Sequence, residues 1–478
     1  MASIARRHAL CVALTLRAIG LVSFCAFVSL HVQVIGLFGA HGIDPLAQSV
    51  EFLRTRVESP WALAPSVLLA TGASDAALHA VCVAGELASA LMVLGVGGGL
   101  APLLAYAAYL SFVSLGVPFL PLQWDTLLTE SLVIAALASP LTLRHVPLTR
   151  PHVPHPLALF ALWLLIGRLM FAAGYVKLAS GDDAWSSMRA LDYHFETQPL
   201  PTPAGYAMHF APAWMHTAGV ALTFVVELVL PWAIVLGTLG RRIAASAFAL
   251  LLAIIAITGN YGFFDLLALA LVISLVDDDA LAHLRRVAPE ASRPPVPPRA
   301  VVGVLACAQM LLGVLALLST LGARASFPGA VIAIDEAADP FRVANGYGLF
   351  AVMTRERPIV IFEGSEDGET WREYDYRWQS GDPARPPAVS TPHMPRLDWM
   401  IWFAGLRGEP EGWIVATEIG LLEARPDVLA LFGSDPFEGR RPRYVRSVRY
   451  DYRFAPRGQS DWWIRSERAA FGPTLESR

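Results

Sequence analysis

The chain has 478 residues, of which 55% are hydrophobic and only 16% charged, with a formal net charge of −4 and a mean hydropathy of +0.49. Soluble globular chains carry about 25% charged residues, so the composition favours a membrane protein over an ordinary water-soluble one; the net charge itself says little about partners, and no nucleic-acid partner is expected. Residues 1–322 hold 33 of the Asp, Glu, Lys and Arg residues and residues 323–478 hold 43, which divides the chain into a membrane part, 1–322, and a water-facing part, 323–478.

The cations are 35 arginines and one lysine, Lys177, which with abundant Ala, Gly and Pro points to a GC-rich bacterial genome. The four cysteines all fall in apolar runs of the first part, so the fold of the second part cannot depend on disulfides.

The first apolar run, Ala9 to about Leu37, follows Arg6 and Arg7 and is too long for a signal peptide, so it reads as a first transmembrane helix. A bilayer crossing takes about 20 mostly apolar residues. On that rule nine helices are expected, near 9–37, 75–97, 100–120, 124–141, 157–179, 212–239, 243–258, 261–277 and 300–321. Trp61–Ala70 is too short to span and reads as interfacial. GVGGG (95–99) is an interhelix turn by position, and the Pro-rich 288–299 reads as an extended linker. With the N-terminus inside, the cytoplasmic loops collect Arg6, Arg7, Arg144, Arg150, Arg241, Arg242, Arg285, Arg286, Arg293 and Arg299, as the positive-inside rule asks. An odd number of crossings then puts the C-terminal part outside the cytoplasm, of a bacterial inner membrane or, in a eukaryote, of the endoplasmic reticulum.

Polar groups converge on that external side. Gln123, Asp125 and Glu130 lie in QWDTLLTE, with Gln123 and Glu130 on one helix face. Between two spans, Tyr175–Pro203 carries Lys177, a capping turn with Asp182, a short amphipathic helix with Trp185 and Met188, and then His194, Glu196 and Gln198. Gln123, Asp125, Lys177, His194 and Glu196 are the candidates for a pocket with acid–base chemistry. The competing structural expectation is that Lys177 snorkels to the interface and His194 pins its loop. Inside the spans, Glu86, Glu130, Arg168, Glu227 and Asp265 each need a partner. Arg168 should pair with one of the glutamates, and a transport path is the alternative. No metal site, cofactor site, nucleophile elbow or phosphate loop is apparent.

The C-terminal part reads as mainly β, with a hairpin over 357–365 and 369–378 and a bulged strand over 443–455. Its exception is TPHMPRLDWMIWFAGL (391–406). Pro392 and Pro395 hold His393 extended, and Asp398 is a candidate N-cap with Arg396 as its ion-pair partner. Trp399, Trp402, Phe403 and Leu406 recur at i, i+3, i+4, i+7, so a short aromatic-faced helix is expected, either in the core of the β part or docked on the membrane part.

The stretches FLPLQWDTLLTE (119–130), KLASGDDAWSSMRALDYHFETQPLPTP (177–203), TGNYGFFDLL (258–267), IFEGSEDGETWREYDYRW (361–378) and PHMPRLDWMIWFAGL (392–406), in this order, resemble the lipase maturation factor family. The resemblance implies a multi-span membrane protein with a lumenal C-terminal domain, whose animal members assist folding and assembly of secreted lipases. It implies a client such as a lipase, and it marks Gly364, Ser365, Asp367, Gly368, Trp371, Pro392, His393, Pro395, Arg396, Asp398 and Trp399; Asn260 of TGNYGFFDLL joins Glu130, Arg168, Asp182 and Gln198 as a further candidate for the membrane-face pocket, and no cofactor is expected. The membrane half is also distantly similar to the transmembrane domain of vitamin K-dependent carboxylases, which implies, as the alternative, an integral-membrane enzyme.

Overall fold

Long apolar runs can satisfy their backbone groups in a bilayer only as helices or closed barrels, and here they are helices. The computed structural model describes residues 2–284 and 299–477. The expected linker, apart from Arg299, and the loop arginines Arg285, Arg286 and Arg293 lie outside the described residues.

In chain order the main apolar helices of the first part are α1 (Ala9–His31), α2 (Asp75–Leu94), α3 (Leu100–Leu115), α4 (Gln123–Ala138), α5 (Pro156–Ala179), α6 (Ala213–Phe224), α7 (Gly237–Thr258), α8 (Phe264–Val272) and α9 (Arg299–Thr320), with shorter helices between them. Six stretches among the described residues are long and apolar enough to cross a membrane: α1, α2, α5, Ala213–Val235, α7 and Ala300–Thr320. Of the nine expected helices six meet this criterion, whereas α3, α4 and α8 are shorter. Helices of 16 residues, as α3 and α4 are, cover about 24 Å against a hydrocarbon thickness of about 30 Å. The expected interfacial segment forms two one-turn helices, Pro60–Leu63 and Leu68–Thr71, with Trp61 and Leu63 exposed.

Small residues let α1 and α2 approach closely. A Cβ added at Gly85 would stand 2.1 Å from the Phe27 ring, and one at Gly20 would stand 2.6 Å from Met92 Cβ. Ser23 Oγ and Ser89 Oγ share a hydrogen bond of 2.8 Å across the same contact. One end of the bundle is tied by charge: Asp277 receives Arg7 at 3.2 Å and Arg242 at 2.5 Å, and Arg17 reaches the Val146 carbonyl at 2.6 Å. The GVGGG turn lies at this end, with Gly98 at φ +49° against the carbonyls of Pro140 and Thr142.

The opposite end carries the C-terminal part. Its strands are β1 (Pro358–Ser365), β2 (Trp371–Glu373), β3 (Tyr444–Phe454), β4 (Trp463–Ala470) and β5 (Leu475–Glu476). They form one antiparallel sheet in the order β2-β1-β3-β4, with β5 also on β3. The hairpin and the bulged strand occur where the alternation places them, the bulge between Arg449 and Asp451. The sheet is smaller than a mainly β reading expects, because it shares this part with helix Gly329–Ala338, α10 (Arg396–Arg407) and α11 (Gly412–Leu422). All eight residues of β1 are buried. α10 lies so close to β1 that a Cβ at Gly405 would stand 2.2 Å from the Pro358 carbonyl oxygen.

Candidate functional site

Two constructions occupy the end of the bundle that carries the C-terminal part. The first is a cavity of about 110 Å³ among α5, α6, α7 and α8. Pro231 has no N–H to give to the Glu227 carbonyl, and the helix that begins as α6 widens there into a π-helical turn, Val225–Val229, before a 3-10 turn, Leu230–Val235. Gly174, one turn before Lys177 on α5, admits this bulge, since a Cβ at 174 would stand 2.8 Å from Glu227 Cβ. Lys177 Nζ then donates to both Glu227 carboxylate oxygens, at 2.7 and 3.0 Å, and lies 5.5 Å from the Trp185 ring centroid. It does not snorkel: the side chain is buried and paired.

His194, on the helix Ala190–Thr197, also faces the cavity. Tyr261 donates its hydroxyl to Gln198 Oε1 at 2.9 Å, which leaves the phenol oxygen to accept from His194 Nε2 at 3.2 Å. Burial, with the Lys177 ammonium adding to it, pushes His194 down to about 4, so its ring is neutral near pH 7. The C-terminal part closes the cavity through Gly348–Phe350. Gln123 holds Gly348 reciprocally, its Nε2 donating to the carbonyl at 3.2 Å and its Oε1 accepting from the amide at 3.0 Å. Phe350 sits at φ +54°, its carbonyl taking the Trp185 indole N–H at 2.9 Å and its ring edge-on to His194.

Of the expected pocket residues, the structure thus brings Gln123, Lys177 and His194 together and adds Glu227, Tyr261 and Asp265. Asp125 and Glu196 are elsewhere: Glu196 accepts from the Phe454 amide at 2.6 Å, beyond the end of β3 that faces the bundle. Asp182 caps Ala184 and binds Arg355 at 2.7 Å, tying the loop to the C-terminal part. Asn260 is spent on backbone, donating to Leu200 and Ala388 and accepting from Ser390. Glu130 pairs with Arg168 and collects Tyr347, Gln309 and the Asn345 amide. With Glu86 on His31 at 2.8 Å and Glu227 on Lys177, all three carboxylates proposed for a transport path are paired with protein. Among the described residues no group of three His, Cys, Asp or Glu side chains could hold a metal ion.

The second construction is the seam between the two parts. Arg396 is fully buried and forks onto Asp125, Nη2 to Oδ1 at 2.6 Å and Nη1 to Oδ2 at 2.7 Å, while Tyr109 donates to the same carboxylate at 2.7 Å. The expected Arg396–Asp398 pair does not form. Asp398 is not the N-cap either, since α10 begins at Arg396. Its Oδ1 accepts the amides of Trp378 and Gln379, both at 2.8 Å. Between Pro392 and Pro395, His393 Nδ1 and the Met394 amide meet Ser29 Oγ at 2.9 and 2.8 Å, and Gln33 takes the Arg396 amide at 2.9 Å. Trp399 packs edge-on to Trp124 at 4.6 Å, so the aromatic helix bridges the β part and the bundle rather than choosing one.

Gly364, Ser365, Asp367, Gly368 and Trp371 make a separate, self-contained turn of the β1–β2 hairpin. Gly368 needs its φ of +79°, and Asp367 accepts the amides of Thr370 and Glu369 at 2.7 and 2.9 Å, which hold its carboxyl well below the usual range. Gly364 lies against the Phe437 ring, and Trp371 carries the Arg446 guanidinium 3.5 Å from its centroid. Sequence reasoning missed Arg357, buried beside β1 and donating to the Gln198 and Pro199 carbonyls, and the cavity lining by Phe350. An arginine directly before the apolar run Pro358–Phe362 was the available signal for the first.

A family model described as the lipase maturation factor transmembrane domain matches residues 10–283, and one described as the lipase maturation factor C-terminal domain matches residues 343–473. The chain is similar to lipase maturation factor 2 of Homo sapiens, at 32% identity over 97% of this chain and 82% of that protein. It is also similar to lipase maturation factor 1 of Mus musculus, at 29% identity over 96% and 86%, and to lipase maturation factor 2 of Xenopus laevis, at 30% over 94% and 80%. No solved structure matches the chain.

Proposed function

This chain belongs to the lipase maturation factor family, and from that premise we propose that it is a membrane-embedded maturation factor assisting the folding or assembly of exported proteins, lipases among them. We assign residues 1–322 to a polytopic membrane domain and 323–478 to the domain that meets the client. Arg6, Arg7, Arg144, Arg150, Arg241 and Arg242 gather at the end of the bundle away from the C-terminal part, Arg241 and Arg242 in the first turns of α7. That supports a cytoplasmic location for this end and a non-cytoplasmic one for the C-terminal domain, in a bacterial inner membrane.

The observation that carries this reading is the seam. A domain that floated on a linker would need no buried ion pair, whereas this one is seated through Arg396 on Asp125 and through Gln33 and Ser29 on the end of α1. A fixed seat suits a protein that presents one oriented surface to a folding chain beside the membrane. The surface on offer, around Trp371 and Arg446 and along the exposed edge strand β4, mixes aromatic and cationic side chains.

The test compares cells carrying the full chain with cells lacking residues 343–473, by quantitative proteomics of the exported fraction together with exported lipase activity. The expected result is one or more exported proteins whose active amount falls while their transcripts do not. An exported proteome and lipase activity unchanged by the deletion would overturn the assignment.

A further inference from the structure

Among the described residues, the cavity beneath Phe350 is lined by one carboxyl group without a partner. Lys177 and Glu227 neutralise each other, His194 and Tyr261 share a hydrogen bond, Gln123 is spent on Gly348, and Thr223 donates to the Gly219 carbonyl at 2.9 Å. Asp265, in the first turn of α8, also lines the cavity. It is 3% exposed and has no hydrogen-bond or ion-pair partner among the described residues. Leaving a buried polar group unsatisfied is unfavourable, so a donor brought to Asp265 is favoured. The remaining wall is hydrocarbon, with Leu169, Leu252, Ile255 and Phe264.

We propose that this cavity is a binding site for a neutral aliphatic alcohol, whose hydroxyl donates to Asp265 and whose chain lies against Leu169, Leu252 and Ile255. An anionic head would be repelled by the carboxyl group, and an ammonium would enter beside Lys177 at the cost of desolvating a second cation. A hydroxyl donates to Asp265 whether that carboxyl is ionised or not. Apolar cavities of about 150 Å³ hold benzene, so about 110 Å³ suits a chain of roughly four to six carbons. A small diffusing alcohol and the hydroxylated end of a membrane lipid share this chemistry. The site is independent of client maturation, because occupancy can be read whether or not a client exists.

The experiment uses the full chain in phosphatidylcholine nanodiscs with two photoreactive probes, a diazirine-bearing hexanol and the matching diazirine-bearing hexane, and maps labelled residues by peptide mass spectrometry. Expected is labelling of cavity residues such as Leu252 by the alcohol probe about tenfold above the alkane probe, with equal labelling of outward-facing Leu239 by both. Asp265→Leu should lower the alcohol signal in the cavity about tenfold, and Asp265→Asn, which keeps an acceptor, should retain it. Competition by 1-hexanol alone assigns the site to a diffusing alcohol, and competition by monoolein as well assigns it to a lipid. Equal cavity labelling by the two probes, or labelling confined to lipid-facing residues, overturns the proposal. Should Asp265→Leu fail to fold, the Asn variant and the alkane comparison decide it.

Discussion

Asp125 and Arg396 have side-chain exposures of 0% and 1%, so each depends on the other for its charge. Arg396→Met leaves the carboxylate buried without its cation and is expected to cost about 3–5 kcal/mol, while the double variant Arg396→Met with Asp125→Leu recovers most of that. Thermal unfolding of the purified protein in detergent measures both. His194 gives a pH test. It takes its proton near 6.5 when free and near 4 in the fold, so between those values the unfolded chain binds more protons and stability is lost as pH falls through the window. His194→Gln removes this contribution, so the stability gap between parent and variant should narrow on acidification from neutral pH toward 4. At this scale the sequence shows which side chains need a partner but not which partner they find. Arg396 and Asp398 look paired on paper, yet residues two apart on a helix do not face each other. Once α10 begins at Arg396, the arginine points to α4 and the aspartate to the Trp378–Gln379 backbone. Lys177 likewise has its partner on a π turn that periodicity cannot foresee.

Close contact between elements rests on residues with little to offer but their smallness. Gly85→Val would push a side chain into the Phe27 ring, already 2.1 Å from an added Cβ, and is expected to cost about 1–3 kcal/mol and to loosen α1 from α2. Cysteine pairs introduced across that contact, cross-linked in the parent background and in the variant, would report the change in separation. The long apolar runs declared their helices without ambiguity. The number of crossings was less legible, because α3 and α4 are apolar enough for a bilayer by eye but stop at 16 residues. Alternation also revealed β1, β2 and the bulge in β3. It undervalued α11, whose run Gly412–Leu422 shows little amphipathic contrast because it is packed on several sides. The aromatic spacing of α10 identified a helix with one greasy face. Its destination is fixed by Trp399 on Trp124 and by Trp402, whose indole N–H reaches the Thr197 carbonyl at 2.8 Å, on the bundle side.

For the whole molecule, the arginine distribution makes a direct forecast. Residues 323–478 contain no cysteine, so Ser460→Cys, at an exposed position past β3, supplies a unique handle in that part. A membrane-impermeant maleimide should label it in intact cells from which only the outer barrier has been removed, and labelling that appears only after lysis of the inner membrane would reverse the orientation. That the chain passes from a charge-poor to a charge-rich stretch near residue 322 was visible in its charge distribution. That the two parts lock together was not, because Asp125, Gln33 and Asn260 each look like ordinary polar residues at the ends of apolar runs. The lock has a temporal side. Arg396 follows Asp125 by 271 residues, which at bacterial or eukaryotic synthesis speeds is a delay on the order of tens of seconds. Throughout that interval Asp125 has the Tyr109 hydroxyl and the Leu122 amide as partners but not its cation, so the packing of the early helices is completed only when α10 arrives.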